Sequence, residues 1–78
     1  MIVRSTSGDY HNLDNMDYWH PKTRSTSSTI QGFYAQRKIV LYTSDEVTAA
    51  QQVCDAIVQA IESGSVYLDL NDVAINIS

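Results

Sequence analysis

One cysteine, one proline and three glycines are all that 78 residues hold of the types that most sharply constrain local shape. A single thiol, Cys54, excludes an internal disulfide, so the fold must rest on packing, and a reducing compartment, the cytoplasm, is expected. Three glycines are too few to build a phosphate-cradling loop easily. No apolar run reaches 18 residues, so no membrane partner is expected, and the opening M-I-V-R-S-T-S-G-D lacks the charged-then-apolar layout of a signal peptide. Bases are also scarce: five Lys and Arg face nine Asp and Glu, for a net charge of −4. That balance argues against strong non-specific binding to nucleic acid, which needs a positive field.

The charge is unevenly spread. Residues 1–43 hold Arg4, Lys22, Arg24, Arg37 and Lys38 against Asp9, Asp14 and Asp17, a balance of +2. Residues 44–78 hold six acids and no base, a balance of −6. A mildly basic sheet backed by an acidic helix is the expected layout. With 44% hydrophobic residues the chain should fold, as one domain spanning 1–78 with a modest core.

The most regular stretch is Ser44–Gly64. Val47, Ala50, Cys54, Ile57 and Ile61 step by three and four, which puts them on one helical stripe. Val53, Val58, Ala49, Ala56 and Ala60 widen that stripe to about 200° of arc, while polar residues fill the rest. Ser44 or Thr43 offers an N-cap with Asp45 and Glu46 in the first turn, and Gly64 offers a left-handed stop. The expected helix is 44–63. One edge, Ala49, Val53, Ala56 and Ala60, carries only short side chains and permits close approach, by the same chain or by a second copy.

The remaining pieces read as extended. Residues 2–6 are rich in β-branched side chains, and Ser7-Gly8-Asp9 is a turn. Tyr10–His20 is either a hairpin turning at Asp14-Asn15 or one bulged strand, with strand expected over 16–20 and a stop at Pro21. Residues 22–29 form a hydroxyl-rich basic connection. A strand over 29–36 with a bend or bulge at Gly32, a tight connection through Gln36-Arg37-Lys38, and an apolar strand over 39–42 lead into the helix. Val66–Leu70 and Val73–Ile77 both alternate, and Asn71-Asp72 suits a hairpin turn between them. The expected fold is α+β: a strongly bent antiparallel sheet, partly closed like a small Sm-like or SH3-like barrel, with one long amphipathic helix before a C-terminal hairpin.

The succession M-I-V-R, N-L-D-N, I-V-L-Y-T-S-D-E-V-T-A, I-E-S-G and V-Y-L-D-L resembles a loose group of short uncharacterised bacterial and phage proteins, in which a β-meander leads into a capped amphipathic helix. The resemblance covers residues 1–70. It implies a bacterial or phage origin and lends no catalytic or binding residues.

Candidate chemistry is thin. His11, Asp14, Asp17 and His20 are competent metal ligands at a spacing of three, but that period converges only on a helix, so no metal site is expected. Cys54 lies on the apolar stripe, where it packs rather than reacts. No paired carboxylates and no serine–histidine–acid pattern stand out, so neither an enzyme nor a cofactor is expected. The leading expectation is a non-enzymatic interaction module, a homo-oligomer or a binder of another protein, using Ala49, Val53, Ala56 and Ala60. The alternative is a single-stranded RNA or DNA binder in which Trp19, Phe33 and Tyr34 stack bases and Arg37 and Lys38 contact phosphates.

Overall fold

Alternation, capping and turn chemistry divide the chain into six short strands and two helices. The computed structural model describes the backbone of residues 1–77 and the side chains of residues 1–73. In chain order the elements are β1 (Ile2–Arg4), β2 (Tyr10–Asn12), a 3-10 turn (Leu13–Asn15), β3 (Tyr18–Thr23), β4 (Ser28–Tyr34), β5 (Arg37–Ser44), α1 (Ala49–Glu62), β6 (Tyr67–Asp69) and α2 (Leu70–Ile77). The α+β class holds. The strands form two three-stranded sheets, ordered β2-β1-β6 and β3-β4-β5, and no closed barrel is present among the described residues. The second sheet is an antiparallel meander, whereas β1 pairs antiparallel with β2 and parallel with β6. The Thr6 N–H donates to the Leu41 carbonyl at 3.1 Å, linking the end of β1 to β5.

Strand β3 does not stop at Pro21. Pro21 sits opposite Ile30 in unbroken register, and β3 is an edge strand. Alternate N–H groups of an edge strand point away from the sheet, so a proline there breaks no ladder bond. The hydroxyl-rich connection is correspondingly shorter than expected: β4 starts at Ser28, and Arg24 N–H closes the turn on the Ser27 carbonyl at 2.8 Å. Tyr10–His20 is neither a hairpin nor one strand, because β2 and β3 belong to different sheets joined by the 3-10 turn.

Residues Ala35 and Gln36 alone form the β4–β5 turn, since Tyr34 pairs with Arg37. Both adopt positive φ, 49° and 67°. The twist of two-residue hairpins favours this left-handed geometry even where no glycine supplies it. The bulge lies on β5 at Leu41, not at Gly32: Ile30 pairs with Tyr42 and Gln31 with Val40. The extra residue lets Leu41 and Tyr42, adjacent in sequence, both be buried. Gly32 serves a different end. A Cβ there would lie 2.5 Å from the Met16 sulfur, so its absence lets Met16 pack between the sheets.

Helix α1 covers the inner face of the meander, with Ile30, Leu41, Val53 and Ile57 fully buried alongside Val3 and Leu70. It starts at Ala49 rather than Ser44, because Ser44 ends β5 and its hydroxyl accepts the Glu46 N–H at 3.0 Å. The local residue Thr48 makes no side-chain cap. Ser28 supplies it from β4: the fully buried hydroxyl accepts the Ala50 N–H at 3.0 Å and donates to the Glu46 carbonyl at 2.5 Å. At the other end Gly64 takes φ 80°, and Ser65 N–H to Ala60 carbonyl with Gly64 N–H to Ile61 carbonyl completes the expected left-handed stop.

The expected hairpin of 66–70 with 73–77 is replaced by strand and helix. Tyr67–Asp69 pairs with β1, and Leu70–Ile77 is helical. Leu70, Val73, Ala74 and Ile77 have helical spacing as well as the alternation of 73, 75 and 77. Asp69 decides between them: its Oδ1 accepts the Asn71 N–H at 3.0 Å, an N-cap that starts the helix where a turn was expected.

Two stability predictions follow from these contacts. Ser28→Ala removes a cap and strands a buried donor and acceptor, and should cost about 1–3 kcal/mol in urea unfolding. A loss under about 0.5 kcal/mol, the scale of an unremarkable surface change, would refute the bridging role. Gln36→Gly relieves a left-handed side chain and should stabilise by up to about 1 kcal/mol, roughly 4 °C in melting temperature. A lower melting temperature would mean the turn is not left-handed.

Candidate binding face on the meander

Residues opposite one another across an antiparallel pair share a face, and every second residue returns to it. The register therefore lays three rows across the outer face: Tyr18–Phe33–Lys38, His20–Gln31–Val40 and Lys22–Thr29–Thr43. The inner face carries Trp19–Gly32–Ile39 and Pro21–Ile30–Tyr42, and packs on α1. The outer face is open at its margins, where Tyr18 is 55% exposed and Lys22, Lys38 and Thr43 are exposed as well, while His20, Thr29 and Phe33 are half-buried and Gln31 is buried.

Three rings stand together there. Tyr18 and Phe33 have centroids 4.5 Å apart, His20 and Phe33 5.6 Å, and Tyr18 and His20 6.0 Å, with planes within 19° of parallel. His20 Nδ1 lies 3.1 Å from the Pro21 carbonyl; carrying the proton there, it leaves Nε2 as an acceptor. Gln31, opposite His20, is buried, and the Thr29 hydroxyl is buried with no partner among the described residues.

The electrostatics favour the same face. Residues 18–44 contain Lys22, Arg24, Arg37 and Lys38 and no acid. All four bases are exposed, Arg24 in the β3–β4 turn and Arg37 beside the β4–β5 turn. The fifth base is engaged elsewhere: Arg4 Nη1 lies 3.2 Å from Asp69 Oδ2 and its guanidinium sits 5.9 Å from the Tyr10 ring centre. The hydrogen bond to Asp69 pushes the Arg4 pKa further up. Asp69 is held below the ordinary carboxylate range, first by the Asn71 backbone N–H and then by Arg4.

The structure sorts the sequence candidates. Of the five nucleic-acid residues, Phe33 and Lys38 meet on the outer face, while Trp19 packs against the core and Tyr34 and Arg37 pair on the opposite face at the hairpin tip. Tyr18 and His20, outside that set, join them there. Their signal was the alternation itself: with Trp19 turned inward, its neighbours must face outward. On the helix edge, Ala49 and Val53 are buried in this chain's own core, and Ala56 is half-buried against it. Those side chains offer little to a second copy, and Ala60 is only half-buried. The apolar side chains that α1 exposes are Val58 and Ile61.

His11, Asp14, Asp17 and His20 do not converge. Asp14 binds the N-terminal ammonium at 3.0 Å, and no three ligand-type side chains cluster among the described residues. Burial, followed by nearby Asp55, pushes the Cys54 thiol up to about 11, so at neutral pH it is a protonated, packed side chain. No family model, curated protein or solved structure matches this chain.

The Asp69 pair has a pH signature. A carboxylate whose folded pKa is depressed contributes stability in full above its unfolded value, about 3.9, and loses it as pH falls through the folded value. Asp69→Asn keeps an N-capping oxygen but removes the charge. The stability gap between wild type and this variant should be constant from neutral pH to about pH 4 and shrink below it. A gap that persists undiminished in acid would show that the ionised carboxylate is not its source.

Proposed function

We propose that the protein is a non-enzymatic binding module that takes single-stranded nucleic acid on the outer face of the β3-β4-β5 meander. The observation that carries this reading is the trio of near-parallel rings, exposed Tyr18 with half-buried His20 and Phe33, on the outer face of an acid-free, basic segment. Bases stack on exposed aromatic side chains without regard to sequence, at about 1–3 kcal/mol each. Lys38 and Lys22, in the first and third rows, suit phosphates on either side of the stacked bases, and Arg24 and Arg37 extend the positive field past both ends. The six acids of residues 44–78 include Asp55 and Glu62 on α1, across the meander, and disfavour approach of a polyanion from that side. Few phosphate contacts make the affinity modest and strongly salt-dependent.

Self-association is a second reading, favoured by Val58 and Ile61, which stand exposed three residues apart on α1. Sedimentation of wild type against Val58→Glu addresses it: a homo-oligomer should dissociate in the variant, and a wild-type monomer at high concentration would end this reading.

Fluorescence anisotropy with labelled single-stranded RNA and DNA tests the meander site. Phe33→Ala or Tyr18→Ala should weaken binding roughly tenfold, the equivalent of about 1.4 kcal/mol. Lys38→Glu should reduce both affinity and its dependence on salt, while Val58→Glu should change neither. Absence of binding at tens of micromolar protein in low salt would overturn the proposal, because low salt favours it most.

A further inference from the structure

Between the two sheets lies a small cleft that the meander face does not use. It has a volume of about 130 Å³ and is lined by His11 and Asn12 of β2, Asn15 of the 3-10 turn, Met16, Tyr34 at the end of β4, and Ile39 of β5. Its size is below the ~300–1,000 Å³ of sites for drug-sized ligands, which limits the occupant to one compact ring system. The chemistry of the walls limits it further. No lining side chain carries a carboxylate, an ammonium or a guanidinium, so nothing in the wall matches a formally charged ligand.

The polar groups are directional and, for the most part, free. Asn12 Oδ1 accepts the Asp14 N–H at 3.0 Å, which leaves the Asn12 Nδ2 as a donor. Asn15 offers a side-chain amide with both a donor and an acceptor, and neither it, the His11 ring nor the Tyr34 hydroxyl makes a hydrogen bond within the described residues. Tyr34, half-exposed, supplies an aromatic face, while Met16 and Ile39 supply an apolar surface. Met16 owes its position to Gly32, where any Cβ would collide with its sulfur. Amide and imidazole edges beside an aromatic face and a thioether are the complement of a flat, neutral heterocycle with adjacent donors and acceptors.

We infer that this cleft is a binding site for a single nucleobase, held by the Asn12 and Asn15 amides and the Tyr34 ring. The site is on the opposite side of the β4–β5 hairpin from the aromatic trio, so the inference holds whether or not the meander face binds a strand. The base can come from a free nucleoside or from a strand bent around the hairpin tip, and the shared chemistry is the same.

Two-dimensional amide NMR separates these sources and tests the site. Adenosine, guanosine, cytidine and uridine are titrated singly, then a short single-stranded oligonucleotide, with ribose as control. At least one nucleoside should shift the Asn12, Asn15 and Tyr34 signals saturably, with affinity on the order of millimolar for so small a ligand. Asn15→Ala should weaken that binding roughly fivefold through one lost hydrogen bond. Tyr34→Ala should weaken it at least as much while Tyr34→Phe retains it, which assigns the contact to the ring rather than the hydroxyl. Shifts at the cleft with the oligonucleotide alone would assign the base to a strand; shifts with nucleosides alone would assign it to the free compound. Equal shifts with ribose, or no cleft shifts with any nucleoside or the oligonucleotide, would overturn the inference.

Discussion

The hydroxyl of Ser28 joins the two halves of the molecule's logic. It sits on β4, yet its bonds go to the Glu46 carbonyl and the Ala50 N–H, at the start of α1. A helix start must find partners for its free N–H groups, and here the partner is fixed in a sheet. The hydrogen bonds therefore fix where α1 begins relative to β4. With α1 laid across the inner face, Ile30, Leu41, Val53 and Ile57 close the core and the outer face is left to solvent. The placing of the Tyr18, His20 and Phe33 rings away from α1 is the far-side consequence of a buried serine.

How much was legible in the chain depended on how local the deciding contact was. The C-terminus of α1 was readable because Gly64 and the two bonds that close it lie within six residues. Its start is not legible locally, because Ser44 and Thr43 are good caps in isolation, while the cap in use comes from 22 residues upstream. The α+β class was legible from periodicity, but the division into two sheets was not, since the β1–β6 pairing leaves no local trace. At Leu70–Ile77 two periods fit the same letters, and a single carboxylate, Asp69, decided for helix. The candidate site shows the same division. Phe33 and Lys38 could be placed on a strand with nearby bases, but which aromatic turned inward required the register.

Charge and shape act together in a chain whose total is acidic. Net charge alone disfavours a polyanion, yet residues 18–44 hold four bases and no acid, while the nine acids lie before and after that segment, at 9–17 and 45–72. At physiological ionic strength interactions are screened over about 8 Å, so a ligand on the outer face responds to the charges of that face rather than to the total. Composition is thus a poor guide here, and the distribution along the fold is the better one.

The parallel pairing of β1 with β6 brings together residues as far apart as Arg4 and Asp69, separated by 65 positions. The meander and α1, by contrast, close through turns and neighbours. Closing a long loop costs entropy before its contacts repay it, so distant pairings are expected late in folding. During synthesis β1 emerges well before β6 and lacks that neighbour until residues 67–69 are available. Until then Ile2 and Val3 have no partner on that side. A strand made early is thus among the last to be secured, and one edge of the β2-β1-β6 sheet stays open until the far end of the fold arrives.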